Sequence, residues 1–239
     1  MSDPTYLAAN WADVRRRVDE ACHAAGRDPA GVTILPVSKT FGAETVRAAM
    51  ALGLRRFGEN KVQEIRDKAA ALDGCGIEWV VIGHLQTNKA HDVARLASEV
   101  QSLDRPQLAA ALHRQLVAAG RTIDVLVQVK TAAEESKYGL DPAQLPAFLD
   151  SLRDYPTLRP RGLMTLATHS DDPRLVRGCF RQLRELRDEA VARGHDLPRL
   201  SMGMSGDFPL AIAEGATEVR IGTAIFGQRP QPTVIPAAG

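Results

Sequence analysis

Three short segments of this 239-residue sequence carry residue types whose chemistry is complementary. Lys39 ends an apolar, strand-like run at residues 32–39, and partial desolvation at a strand end favours the neutral amine that attacks carbonyls. Far downstream, residues 201–205 (SMGMS) and 219–223 (VRIGT) offer backbone N–H groups and hydroxyls that suit a phosphate. If the fold brings these segments together, the expected ligand carries both an aldehyde and a phosphate.

Alternating strand and helix patterns would have to position these residues. The spacing of about 24 residues between strand-like runs predicts parallel βαβ units, and about eight units predict a single-domain (β/α)8 barrel over residues 1–230. An additional helix over residues 4–25 and a C-terminal tail at 231–239 complete this interpretation. An open doubly wound sheet fits the same alternation, although no GxGxxG motif follows the first strand. The strand-like runs lie near residues 32–38, 55–58, 78–83, 99–103, 123–129, 161–166, 199–202 and 218–221.

The unusual residues fall where predicted strands end. Lys39 follows the first strand, Asn60 the second, residues 201–205 the seventh, and Gly222 and Thr223 the eighth. In a barrel, the loops at the carboxyl ends of the strands form the functional face, and the last two commonly bind phosphate. The sequence therefore predicts one site at this face.

Three candidates also have a simpler interpretation. Lys39 could be an ordinary solvated lysine, although its place after a long apolar strand favours function. Asn60 could cap the next helix in a capping box with Gln63, and Ser205 could cap a helix that runs to Glu214. Capping and ligand binding are compatible, since anions occupy helix N-termini for the same physical reason.

Other candidates leave alternatives open. Arg220 alternates with apolar neighbours and should point into the barrel, where a ligand ring nitrogen or an internal carboxylate would pair with it; we favour the ligand. For Met202 and Met204 we favour packing over a chemical role. Lys137 follows the fifth strand among acidic residues, which favours a surface ion pair. His84 and His169 lack the spacing of metal ligands, so we expect no metal site.

Composition excludes several classes. Hydrophobic residues make up 44% and charged residues 25%, and the net charge of +1 gives no reason to expect a nucleic-acid or membrane partner. The N-terminus lacks an apolar signal core, and no apolar run approaches a membrane span. Three cysteines without CxxC spacing indicate free thiols in a reducing compartment. We expect a cytoplasmic protein, and a monomer.

Six motifs, in order, resemble a known family over essentially the whole chain. That family is the pyridoxal 5′-phosphate (PLP) homeostasis proteins, the YggS/PROSC group. The matching segments are residues 37–40 (VSKT), 57–60 (FGEN), 82–89 (IGHLQTNK), 161–164 (RGLM), 200–205 (LSMGMS) and 219–227 (VRIGTAIFG).

The resemblance implies a barrel like the N-terminal domain of alanine racemase, together with a role for each candidate. Lys39 would hold PLP as a Schiff base, Arg220 would face the pyridine nitrogen, and Asn60 would line the ring. Lys137, in a segment similar to the family's Ser-Lys-x-Gly, becomes a candidate accessory contact, as does Met204. The residues implied around the phosphate are Ser201, Ser205, Gly222 and Thr223.

The resemblance also implies a function in vitamin B6 homeostasis without strong catalysis. An arginine at the pyridine nitrogen would weaken the electron sink of PLP, and the chain ends soon after its last barrel segment, so we expect no second, racemase-type domain. Apo PLP-dependent enzymes are the expected recipients of the cofactor. A weak amino-acid racemase and a Schiff-base aldolase acting on a phosphosugar are the alternatives.

Overall fold

Eight parallel strands alternate with helices along the chain. The computed structural model describes residues 4–132, 134 and 138–228. The strands are β1 (Thr33–Pro36), β2 (Arg56–Glu59), β3 (Glu78–Val81), β4 (Ala97–Leu103), β5 (Ile123–Gln128), β6 (Leu158–Met164), β7 (Arg199–Ser201) and β8 (Glu218–Ile221).

The strands form a closed barrel. They are hydrogen-bonded in the order β1-β8-β7-β6-β5-β4-β3-β2, and all pairs are parallel. The remaining gap closes where Val37 forms a parallel bridge with Gly58 and the Ser38 amide donates to the Gly58 carbonyl at 3.1 Å. The predicted (β/α)8 barrel is confirmed, and the doubly wound sheet is wrong.

The helices pack around the barrel, and α1 is the predicted additional one. The Asn10 side chain donates to the Ile225 carbonyl at 3.0 Å, and Arg17 lies over the Phe208 ring, which anchors α1 to the end of the barrel. The helices are α1 (Pro4–Ala24), α2 (Ala43–Ala51), α3 (Val62–Ala71), α4 (Ala90–Leu96), α5 (Pro106–Ala119), α6 (Leu145–Ser151), α7 (Pro173–Ala192), α8 (Phe208–Ala213) and α9 (Thr223–Phe226). None of the described helices is long and apolar enough to cross a bilayer. The proposed tail at residues 231–239 lies outside the described residues.

The amino-terminal half of the barrel interior holds a charged network, which we call the barrel floor. Its carboxylates are Glu99 and Glu218, and both are almost fully buried. Arg56 donates to both of them, and Arg199 donates to both oxygens of Glu99 and, at 2.9 Å, to Glu218. Gln101 donates to both carboxylates as well, so the floor is a connected set of charge-assisted hydrogen bonds.

The floor arginines keep the Glu218 carboxylate ionised. Burial raises the pKa of Glu218, but the charges of Arg56 and Arg199 outweigh it, and the pKa lies below its ordinary value. Burial lowers the pKa of Arg199, whereas its bonds to Glu99 and the charge of Glu218 raise it, and the net shift is upward. The network is thus charged at neutral pH, and each member depends on the others.

We predict that Glu218→Gln destabilises the protein by about 3–5 kcal/mol at neutral pH, because it leaves two partly buried arginines short of a counter-charge. Because the pKa of Glu218 is lowered on folding, its stabilisation is present at neutral pH and is lost as pH falls through the folded-state pKa. Urea titrations should therefore show the largest difference from wild type near neutrality and a smaller one in acid. Glu20→Gln, on the exposed face of α1, is the control and should leave the transition unchanged.

Candidate functional site

A cavity of about 650 Å³ opens at the carboxyl ends of the strands. It is bordered by the loops that follow β1, β2, β3, β5, β6, β7 and β8, so residues far apart in sequence meet in one place. Predicted site residues make up much of its lining: Lys39, Asn60, Met204, Ser205, Arg220, Gly222 and Thr223. The structure brings these seven together. Ser201 is not among them.

Lys39 lies in a tight turn directly after β1. Val37 and Ser38 before it are buried in the barrel wall, whereas Lys39 is half-buried and borders the cavity. The Phe41 amide donates to the Ser38 carbonyl at 3.1 Å, which closes the turn around the lysine. Thr40 has a φ of 71°, a left-handed conformation that is rare for a β-branched residue.

The hydroxyls of Ser205 and Thr223 lie 3.4 Å apart across the β7 and β8 loops. Gly222 precedes Thr223 and packs closely on Val37, the residue after β1: a Cβ at position 222 would lie 3.2 Å from the Val37 carbonyl oxygen. The predicted capping by Ser205 is wrong: α8 begins at Phe208, and Asp207 occupies the cap position. Ser205 is therefore left facing the cavity, where it forms a pair of hydroxyls with Thr223.

Arg220 forms the bottom of the cavity and connects it to the barrel floor. Its guanidinium donates to the Ser201 Oγ at 2.8 Å and to the Thr165 carbonyl at 2.7 Å. The Ser201 Oγ in turn lies 2.7 Å from the Gln101 Oε1 and 3.0 Å from a Glu218 oxygen. Burial lowers the pKa of Arg220 to about 10, and it is therefore still protonated at neutral pH.

Ser201 is thus a support beneath Arg220. It is fully buried, its hydroxyl has three polar neighbours, and it is not among the residues that line the cavity. The alternation of side chains along β7 could have predicted this buried position, because Ser201 is the last residue of the strand and its side chain points into the barrel.

Asn60 borders the cavity, but the predicted capping box is wrong. Helix α3 begins at Val62 with Lys61 at the cap position, and the Gln63 side chain donates to Asp67. The backbones of Asn60 and Gly83 approach closely: a Cβ at Gly83 would lie 2.3 Å from the Asn60 carbonyl oxygen. Only glycine at position 83 allows this approach between the β2 and β3 loops.

Several lining residues were not predicted as site residues. The rings of His84 and Tyr138 stack with centroids 3.7 Å apart at the cavity mouth, and His84 Nδ1 lies 3.5 Å from Asp104. The Gln128 side chain donates to the Tyr138 carbonyl at 2.9 Å, and His169 also borders the cavity. Among the described residues, no group of three or more potential ligands could hold a metal ion.

The candidates Met204 and Lys137 differ in outcome. Met204 lies at the cavity edge and is 41% exposed, so it is available to a ligand, whereas Met202 is buried in the core. Lys137 lies outside the described residues, as do its neighbours Glu135 and Ser136.

Comparison with known proteins identifies relatives over nearly the whole chain. The family model of the alanine racemase N-terminal domain matches residues 3–230. A pyridoxal phosphate homeostasis protein of Pseudomonas aeruginosa is 44% identical, with 93% of this chain and 96% of that protein covered. One from Aquifex aeolicus is 42% identical, with 90% and 95% covered.

Solved structures agree with these matches. PipY of Synechococcus elongatus, solved with PLP bound, has a TM-score of 0.81 and 36% identity and covers 92% of this chain and 100% of its own. A Clostridium difficile alanine racemase has a TM-score of 0.74 at 13% identity; 97% of this chain but 59% of the racemase is covered. That second likeness shows a shared barrel fold.

Proposed function

Because the chain belongs to the pyridoxal phosphate homeostasis proteins, within the alanine racemase N-terminal domain family, we propose that it binds PLP and acts in intracellular vitamin B6 homeostasis. One observation carries the proposal: a single cavity holds an amine at Lys39, a hydroxyl pair at Ser205 and Thr223, and a buried guanidinium at Arg220. The PLP-bound relative PipY supports the choice of ligand.

The residues present fit the chemical groups of PLP. When bound, the cofactor supplies an aldehyde that condenses with an amine, with loss of water, and a pyridine ring that can withdraw electrons. Lys39 would provide that amine. Ser205 and Thr223 would donate hydroxyl hydrogen bonds to the phosphate, with Gly222 beside them, and Asn60 and Met204 would border the ring.

Arg220 would face the pyridine nitrogen as a hydrogen-bond donor. Arg220 borders the cavity, and its guanidinium is held by hydrogen bonds to Ser201 and Thr165, which fix its direction. Since a guanidinium with a pKa of about 10 keeps its proton at neutral pH, the ring nitrogen would remain unprotonated. Ser201 acts in this proposal as the positioning residue for Arg220.

We further propose that the protein holds and delivers PLP without strong catalysis, with apo PLP-dependent enzymes as recipients, and that it works as a monomer. An unprotonated ring withdraws electrons weakly, which disfavours chemistry at the α-carbon of an amino acid. The homeostasis-protein names of the relatives agree with this interpretation. Lys137 stays a candidate accessory lysine.

A weak amino-acid racemase is the second candidate function. His84, Tyr138 and His169 all border the cavity, and each carries a group able to transfer a proton. A racemase would use one of them opposite Lys39. A phosphosugar aldolase would use Lys39 as well, but it would purify without the yellow colour of bound PLP.

We predict that the purified protein is yellow. Reduction with borohydride should leave a phosphopyridoxyl group stably attached to Lys39. Peptide mass spectrometry locates the label, and Lys39→Ala should abolish it while retaining the fold, because the residue lies at the barrel mouth. Lys61→Ala, which removes an exposed lysine near the cavity, should be labelled like wild type. A label on Lys89 or Lys137 alone would show that the anchor is a different lysine.

We predict that Ser205→Ala combined with Thr223→Val weakens PLP binding, because each lost hydrogen bond to a charged group is worth roughly 1.5–3 kcal/mol. Equilibrium titration measures the change. Pyridoxal, which lacks the phosphate, should bind more weakly than PLP to wild type and be little affected by the double substitution. Equal affinities of wild type for the two aldehydes would place the phosphate elsewhere.

We predict no useful turnover of amino acids. General acid–base groups each contribute on the order of 10²–10⁴ in rate, but a protonated Arg220 removes the electron withdrawal that such groups exploit. Exchange of the α-proton in D₂O, followed by NMR across a panel of D- and L-amino acids, should stay near background. A rate above about 1 s⁻¹, the low end of typical enzyme values, would favour the racemase.

A further inference from the structure

Helix α3 contacts both peptide groups that flank Lys39. Lys68 Nζ donates to the carbonyl oxygen of Ser38 at 2.8 Å, and the amide of Thr40 donates to Glu64 Oε2 at 2.7 Å. Lys68 and Glu64 are one helical turn apart, and their charged groups lie 3.6 Å from each other. The turn that carries Lys39 is therefore attached to one helix face on both sides of the lysine.

Glu59 supports this attachment from the barrel wall. Its Oε1 accepts from Lys68 Nζ at 2.5 Å and from the Ser38 hydroxyl at 2.6 Å. Glu59 is fully buried, and the Lys68 side chain is only 6% exposed. Its second oxygen, Oε2, finds no donor among the described residues. Burial raises the pKa of Glu59, and Lys68 and Ser38 offset this in part.

Such a buried pair is weak evidence for stability, since desolvation of two charges offsets most of their attraction. The hydrogen bonds around this pair indicate instead a role in positioning the turn that carries Lys39. Lys68 and Glu64 bond to the main chain of the turn, and Thr40 between them has the rare φ of 71°. A β-branched residue stays in this conformation only when its surroundings determine it strongly.

We propose that Lys68 and Glu64, with Glu59 behind them, are positioning residues that fix the turn at residues 38–40 and so direct the Lys39 amine into the cavity. We call this set the α3 clamp. The inference rests on the proposed role of Lys39 as the residue that captures the aldehyde. Because the clamp orders the turn when the protein folds, the main chain that carries Lys39 need not be ordered when the ligand arrives.

The clamp should act on capture and leave the first, non-covalent encounter with PLP unchanged. The encounter depends on the phosphate contacts of Ser205 and Thr223, which lie on other loops. Covalent capture depends on the direction of the Lys39 amine, and small displacements of a reacting group can cost on the order of 10²-fold in rate. Substitutions that loosen the clamp should therefore slow the capture step and leave the affinity of the first encounter unchanged.

The first test uses the protein free of cofactor and follows amide hydrogen exchange at Thr40 by NMR. Glu64→Ala removes the acceptor of that amide and should speed its exchange on the order of tenfold or more. Glu64→Gln keeps an acceptor oxygen and should restore much of the protection. Asp67→Ala, on the same helix and bonded to Gln63, is the matched control and should behave like wild type. Equal exchange at Thr40 in all four proteins would overturn the clamp.

The second test follows capture of PLP by stopped-flow absorbance, with the PLP concentration varied to separate encounter from capture. Lys68→Met and Glu64→Ala should lower the capture rate constant on the order of 10- to 100-fold, with encounter affinity near wild type. Lys68→Arg, which keeps a cationic donor, should recover part of the rate, and Asp67→Ala should retain all of it. Glu64→Ala alone decides the outcome if Lys68→Met fails to fold, since Glu64 lies near the surface.

The outcomes separate this inference from the proposed function. Capture at the wild-type rate in Glu64→Ala, with the label on Lys39, would overturn the clamp and leave PLP binding intact. A fall in encounter affinity equal to the fall in rate would indicate a general structural defect and also contradict the clamp. Failure of wild type to capture PLP would refute the proposed function, while the exchange experiment would still decide whether α3 fixes the turn.

Discussion

The barrel encloses charges that must satisfy one another, and the site depends on how they do so. Glu99 and Glu218 are buried inside the strands, and Arg56 and Arg199 neutralise them from the amino-terminal end. A buried carboxylate without such partners would be strongly destabilising. The network continues upward through Ser201 to the guanidinium of Arg220. The cavity therefore has a charged base whose orientation is determined by the barrel floor.

The three groups that would bind the ring nitrogen, the aldehyde and the phosphate of the proposed ligand are supported by different parts of the fold. Arg220 depends on the barrel floor, whereas the turn at Lys39 depends on helix α3 through Glu64 and Lys68. The hydroxyls of Ser205 and Thr223 depend on loops that follow β7 and β8. Because these supports use different side-chain hydrogen bonds, a substitution in one of them should change mainly one function of the site and leave the others measurable.

The sequence predicted the barrel well because periodicity reports directly on burial, and parallel strands place their carboxyl ends at one face. Lys39 and Thr223 could thus be grouped without knowing a single contact. The pairing of side chains could not be predicted in this way. Arg56 and Glu218 are 162 residues apart, and no local pattern connects them. The capping prediction at Asn60 failed because the helix begins at Val62, and helix boundaries vary by a residue or two for reasons outside local sequence.

The hydrogen bonds that fix side chains around the cavity bear on both PLP binding and catalysis in the proposed function. In the proposed function the Lys39 amine is the covalent anchor, and the Arg220 guanidinium is held by hydrogen bonds to Ser201 and Thr165. Burial brings the pKa of Arg220 down to about 10, which still leaves it charged at neutral pH. The same interactions that orient PLP for binding would therefore keep its ring electron-rich. In the proposed function, retention of PLP and weak catalysis would therefore have a common origin in the barrel floor that holds Arg220.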